Sequence, residues 1–459
     1  MHLQSGSRIH LTGIGGCATS GLAHILAALG HQVSGSDRGA AASFPALREH
    51  GVVVHAQHDA SNVPAATDLL VYSLAVPPTN PELEIARQRG IPTIAYPKFL
   101  GQLLAAHRGV AIAGTHGKTS TAALLATLLV AGGADPSFLI GGTIPGLGGN
   151  WRCGNGGDFL VEACEYRRSF HNFQPDIGVI TNIERDHPEI YPDDESVVLA
   201  FEQYVGGFQR GGLVVVNGDS PKAAELPTPA GGRKLTYGFR RGCDWRAELL
   251  AGGASPRFRV SYRGDVWGEI ALRIPGRHNV SNALAAVAVA VELGVAAGDV
   301  IESAASFTGV DRRFQCFGAF RGVDLVEDYA HHPTEVNSVI DTARDKFPKR
   351  RLWALFQPHQ LGRLDAFGRG FADALAAADR VALVPTYSVR ESAADFPTDL
   401  LERLENRIAR ETPVHRFGSL EESVDAMPEL LDSGDVCLVL GAGDVSQVTV
   451  GLRNRLEGV

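Results

Sequence analysis

The chain has 459 residues, of which 44% are hydrophobic and 20% charged, and it carries a formal net charge of −9. That length exceeds one ordinary domain and predicts two or three, each with ample apolar material for a core. An acidic balance without a lysine/arginine block excludes nucleic acid as the main partner, and no apolar run reaches membrane-spanning length. Six scattered cysteines with no C-x-x-C pair, and no apolar signal core in residues 1–8, fit a cytoplasmic protein with reduced thiols.

Strand-like runs alternate with helical patterns, which predicts an α/β protein built on parallel sheets. The first unit opens with a strand at Arg8–Thr12, the turn Gly13-Ile14-Gly15-Gly16, and a helix with Leu22, Ile25, Leu26 and Leu29 at i, i+3, i+4 and i+7. Gly30 ends that helix; residues 33–37, 69–73 and 91–95 read as further strands, and 103–108 joins this unit to the next. A first domain is therefore expected over 1–107. The second, over 108–315, has strands at 110–113, 159–162, 177–182 and 213–217. From 244 to 274 the pattern changes to short alternating strands, with Arg263-Gly264-Asp265 as a hairpin turn, so a small antiparallel appendage is expected. An alanine- and valine-rich helix over about 280–293 follows, and the α/β rhythm resumes in a third domain over 316–459.

The most informative stretch is Gly114-Thr115-His116-Gly117-Lys118-Thr119-Ser120, between the apolar run 110–113 and a helical segment. Strand, glycine loop and helix together cradle phosphate: glycines admit backbone N–H groups to the anion, and the helix N-terminus adds positive charge. Lys118 can reach terminal phosphates and a neighbouring hydroxyl can ligate magnesium. Ile112 stands where the usual pattern has its first glycine, so this is a shortened nucleoside-triphosphate loop. The turn Gly13–Ala18 fits G-x-G-x-x-G/A with Asp37 at the ribose-reading distance. That pattern alone points to NAD, but the same turn serves any diphosphate-bearing nucleotide. Glu162 ends the strand 159–162, where a magnesium ligand normally lies, and Asp186-His187 follows the strand 177–182. Farther on come His278, Asn279 and Asn282, then Arg313, Asp328, His331-His332, His359 and Arg363, all after strands or at helix starts. The paired histidines suggest a metal, yet no third zinc ligand stands at a sensible spacing.

The ordered pieces GTHGKTS, TNIERDH, PGRHNVSN, DRRF, DYAHHPTE and FQPH resemble the Mur ligases, nearly end to end. The resemblance implies a Rossmann-like UDP-binding domain, a central P-loop ATPase domain and a C-terminal Rossmann-like domain closing over ATP. It reassigns Gly13, Gly15, Gly16 and Ala18, with Asp37 and Ser73, from NAD to a UDP-sugar. ATP would lie on Gly114 through Ser120, with His278, Asn279, Asn282, Arg313 and Asp328 around it. Thr119 and Glu162 would hold one Mg²⁺ and His187 a second. His331, His359 and Arg363 would line the amino-acid pocket, and Lys118, Arg313 and His331 would be the catalytic residues.

The pieces GIGG, SGSD, ACEYRRSF, DYAHHPTE and FQPH favour the member that joins L-alanine to the lactyl carboxylate of UDP-N-acetylmuramate in peptidoglycan precursor synthesis. ATP would drive that reaction through an acyl phosphate. Its expected partners are these three small molecules, with no membrane and no nucleic acid, and the chain is expected as a monomer or weak homodimer. The alternative is a sister ligase that adds a recycled tripeptide to the same sugar. After FQPH, relatives commonly read R-F-T-R-T or T-F-T-R-T, whereas here the residues are Gln360-Leu361-Gly362-Arg363-Leu364. Arg363 is kept and both threonines are gone.

Overall fold

The computed structural model describes residues 4–389 and 391–458. Three sheets organise the chain. The first holds five parallel strands in the order Val53–His55, Gln32–Ser36, Arg8–Thr12, Leu69–Tyr72, Thr93–Ala95. The order reverses between the third and fourth, so the switch-point crevice lies beside Gly13 and Ser73. Helix Cys17–Ala28 buries Leu22, Ile25 and Leu26 against this sheet. Leu29, expected on the same stripe, is instead 47% exposed. It stands at the C-cap, past the last full turn.

The second sheet has ten strands. Six parallel ones, from Arg233–Gly238 through Leu213–Asn217, Ile177–Ile180, Arg108–Ala113 and Asp158–Glu162 to Ser137–Ile144, form its middle. The expected appendage is present, but it extends this sheet: Trp245–Ala251 pairs parallel with Arg233–Gly238, and the two following strands add antiparallel. Its hairpin turns where expected, with Arg263 and Gly264 both at positive φ (50° and 96°) as a tight two-residue turn requires. The opposite edge carries the hairpin of Ser137–Ile144 and Gly149–Arg152. Its glycine-rich sequence hid it from periodicity. Helices Lys118–Ala131 and Arg277–Glu292 pack together above the sheet in one buried cluster, which is why the second is apolar nearly all round.

The third sheet runs Gln315–Phe320, Val323–Asp328, Val436–Leu440, Leu352–Phe356, Arg380–Leu383, Val414–Arg416. Only its first pair is antiparallel. Apolar runs such as LWALF and VCLVL are buried at every position, as strands covered on both faces require. Among the described residues no helix is long and apolar enough to cross a membrane.

Candidate active site

The glycine loop leaves strand Arg108–Ala113 and enters helix Lys118–Ala131. Gly114 (φ 132°) and Gly117 (φ 80°) have no room for a side chain: a Cβ would run into Thr181 Oγ1 at the first and stand 2.5 Å from Asn282 Oδ1 at the second. The loop is held from the neighbouring strand end, where Asn182 Oδ1 accepts the His116 amide at 2.9 Å and Thr181 Oγ1 donates to the His116 carbonyl at 2.5 Å. Lys118 is not the free, exposed head its loop position suggests. Its Nζ donates to the carbonyls of Gly114 (2.6 Å) and Thr115 (2.9 Å) and to Glu165 Oε2 (2.9 Å). Burial works against its charge, but the Glu165 carboxylate overrides that and raises the lysine's pKa above its ordinary value.

Thr119 Oγ1 donates to Glu162 Oε1 at 2.9 Å, so the two residues expected on one Mg²⁺ are brought together. Gly141 N donates to the other oxygen of Glu162 at 2.7 Å. His187 groups instead with Glu165 and Asp186, one ligand atom from each lying within 4.8 Å of the others. These carboxylate and hydroxyl oxygens suit a hard cation. Sequence reasoning names Asp186 only as the neighbour of His187 and does not single out Glu165. Both lie inside the quoted pieces ACEYRRSF and TNIERDH, but their role appears only when the two strand ends are seen side by side.

A cleft of about 700 Å³ opens between the second and third sheets. His116, Gly117 and Ser120 line it from the loop, His278, Asn279 and Asn282 from the start of helix Arg277–Glu292, and Arg313 and Asp328 from the third sheet's entry. Burial pushes the His278 imidazole down to about 4 and the Asp328 carboxyl up to about 6, the latter despite amide donors at Phe314 and Ala330. Arg312 is tied to Glu327 at 2.7 Å, which accounts for the glutamate before Asp328 and leaves Arg313 to face the cleft.

His331, His359 and Arg363 meet at the same junction. The two imidazole rings are 5.9 Å apart, and Arg363 Nη1 is 3.0 Å from His359 Nδ1. Burial holds the His331 imidazole down at about 4. The guanidinium fork, placed by the resemblance in the amino-acid pocket, is engaged within the protein: Nε and Nη2 donate to the two oxygens of Asp186 at 2.8 and 3.1 Å, both side chains being about 5% exposed or less. Asp186 lies in the loop after strand Ile177–Ile180 of the second sheet and Arg363 on helix Leu361–Leu375 of the third unit, so no local sequence pattern reports the pair. Beside them Gln360 keeps a buried Nε2 with no partner.

At the first sheet, Gly13, Gly15, Gly16, Ala18 and Ser73 sit at the carboxyl ends of their strands or on the helix start. A Cβ on Gly13 (φ 85°) would stand 2.9 Å from that of Ser73. Asp37 does not reach outward for a ribose. Its Oδ2 accepts the Gly15 amide at 2.8 Å and its Oδ1 the Arg38 amide at 2.7 Å, so it shapes the turn.

Known proteins share this fold and domain order. Family models described as the Mur ligase family catalytic domain, the Mur ligase middle domain and the Mur ligase glutamate ligase domain match residues 8–108, 112–290 and 312–443. UDP-N-acetylmuramate–L-alanine ligase of Agathobacter rectalis is 36% identical, covering 97% of this chain and 98% of the relative. The protein of that name from Oleidesulfovibrio alaskensis is 39% identical over 95% and 96%. The crystal structure of UDP-N-acetylmuramate-alanine ligase from Thermotoga maritima superposes with a TM-score of 0.83 at 28% identity, covering 98% and 99%. A murein peptide ligase from Psychrobacter arcticus shares the fold at a TM-score of 0.73. With three matched domains in order and full-length relatives above 30% identity, the chain belongs to the Mur ligase family.

Proposed function

We propose that the chain is a cytoplasmic, ATP-dependent ligase, monomeric or weakly dimeric, that joins L-alanine to the lactyl carboxylate of UDP-N-acetylmuramate. The observation that carries the reading is the convergence of two units, the central and the C-terminal, on one junction. There the loop lysine, the Thr119–Glu162 pair and the Glu165–Asp186–His187 group stand against His331, His359 and Arg363 from the third sheet.

A carboxylate is a poor acylating agent, so its oxygen must first become a leaving group. The lactyl carboxylate attacks the γ-phosphorus of ATP, giving the acyl phosphate and ADP. The alanine amine then attacks the acyl carbon and phosphate leaves. Two anions must approach each other in the first step, and the chain's own contribution is fixed positive charge: Lys118 from the loop and Arg313 from the cleft wall. Thr119 and Glu162 would hold one Mg²⁺, and His187 with Glu165 and Asp186 a second; bound there, the ions would offset further charge on the triphosphate. Asn279, Asn282 and Asp328 would seat the nucleoside, and the turn Gly13–Ala18 the UDP diphosphate. His331 and His359 would line the alanine pocket. With Arg363 held by Asp186, the unpartnered Gln360 Nε2 supports a share for that amide in binding the amino acid's carboxylate.

The test is phosphate release with each of ATP, UDP-N-acetylmuramate and L-alanine left out in turn. The proposal expects release only with all three present. Release without the amino acid would mean that the chain is an ATPase or transfers to another amine.

A further inference from the structure

His331-His332 lacks a third metal ligand in the local sequence, but folding supplies two from the central unit. His116 of the glycine loop and Glu184, just after strand Ile177–Ile180, meet His332 at the start of helix Pro333–Lys346. One ligand atom from each lies within 4.8 Å of the others. The shared point is Glu184 Oε2, with His116 Nε2 at 3.3 Å and His332 Nδ1 at 3.9 Å. Ligands about 2.0–2.1 Å from a tetrahedral zinc ion stand about 3.4 Å from one another. Only small side-chain adjustments separate the observed spacing from that one.

The outward ring nitrogens are also arranged for this task. His116 Nδ1 is 3.1 Å from Glu335 Oε1, and His332 Nε2 is 3.3 Å from the Arg185 carbonyl. A ligating imidazole typically gives its second N–H to a carboxylate or carbonyl, which fixes the tautomer and turns the other lone pair to the metal. His332 Nδ1 accepts only a long 3.3 Å cap bond from Thr334 N, and Thr334 Oγ1 donates to Glu184 Oε2 at 2.6 Å. Glu184 and Glu335 bring two negative charges to the spot, with the single His116 ring between them. Imidazole with one carboxylate selects zinc-class ions over magnesium, unlike the oxygen-rich groups around Glu162 and Asp186.

We propose that His116, Glu184 and His332 form a binding site for a Zn²⁺-class ion that replaces the proton on His116 Nε2, releasing it to solvent, and ties the glycine loop to the C-terminal unit. The site is separate from the proposed Mg²⁺ ligands and stands whether or not the proposed reaction is correct.

The probe is Co²⁺, titrated into tag-free, chelator-stripped protein in excess Mg²⁺, which keeps the oxygen-ligated groups filled. Tetrahedral Co²⁺ absorbs intensely in the visible, whereas six-coordinate oxygen sites give faint bands. The proposal expects intense bands that saturate at one equivalent and vanish on adding Zn²⁺. Two variants test the assignment: His332→Asn keeps a helix-capping side chain but cannot reach the ion, and Glu184→Gln removes the carboxylate. Both should lose the bands with circular dichroism unchanged. Their Zn²⁺ affinity, read by competition with a chromophoric chelator, should fall by at least about 100-fold, the upper end for loss of an outer partner alone. Faint bands only in the parent protein, or intense bands surviving in a folded variant, would overturn the proposal.

Discussion

Replacing Lys118 by alanine should damage the fold as well as the reaction, and the two effects can be separated. The Lys118 side chain is 13% exposed and its partner Glu165 only 3%. Removing the ammonium leaves a buried carboxylate without its counter-charge and frees two loop carbonyls, those of Gly114 and Thr115. Breaking one side of a buried pair costs about 3–5 kcal/mol. For domains of roughly 150–250 residues each kcal/mol lowers Tm by about 2–4 °C, so the transition that reports the central unit should fall by about 10 °C. Adding Glu165→Gln removes the stranded charge and should restore most of that loss, since a neutral amide is far easier to bury. Turnover should not return: loss of one transition-state donor typically costs about 100- to 1000-fold, and the double variant still lacks it. Differential scanning calorimetry and phosphate release on Lys118→Ala and Lys118→Ala/Glu165→Gln give both readouts. A Tm equal to that of the parent protein in the single variant, or no recovery in the double, would refute the ion-pair argument. Recovered turnover in the double variant would remove Lys118 from the chemistry.

Three further outcomes follow from the geometry. Burial works against the His116 imidazolium, but Glu184 and Glu335 hold its pKa up at about 9, so its stabilising contribution is complete below about pH 6.5 and is lost as pH rises through 9. The KM for ATP should therefore climb above pH 9, and Glu335→Gln should move that rise to lower pH; a KM flat to pH 10 would contradict this. Gly15→Val should raise the KM for UDP-N-acetylmuramate and leave that for ATP unchanged, because a Cβ there would lie 2.6 Å from Ala41 Cβ and 2.8 Å from Asp37 Oδ2. Arg363→Ala should raise the KM for L-alanine and also weaken the contact between the second and third sheets by stranding Asp186, which limited proteolysis would detect; an effect on KM alone would mean that Asp186 is not dependent on it.

What the sequence made legible was whatever is local. The glycine loop, the turn Gly13–Ala18, the hairpin at Arg263-Gly264 and the apolar strands all announce themselves within a dozen residues. The nearness of Thr119 and Glu162 is legible because a strand-end acid beside a phosphate loop is itself a local pattern. Contacts formed between sheets were not legible. The engagement of the Arg363 fork is hidden because Asp186, its partner, lies far away in the chain. The burial of Lys118 is invisible because nothing near the loop reveals Glu165. Nor does the local sequence around His331-His332 reveal His116 and Glu184, which reach His332 from another unit.

Substrate competition tests the central claim most directly: product formation from UDP-N-acetylmuramate and ATP, with L-alanine and L-alanyl-γ-D-glutamyl-meso-diaminopimelate supplied together at equal concentration. Mass spectrometry of the UDP-linked product identifies the amine that was used. The account predicts the L-alanine adduct, with ADP and phosphate formed in equal amounts. A predominance of the tripeptide adduct would contradict it and assign the chain to the sister reaction.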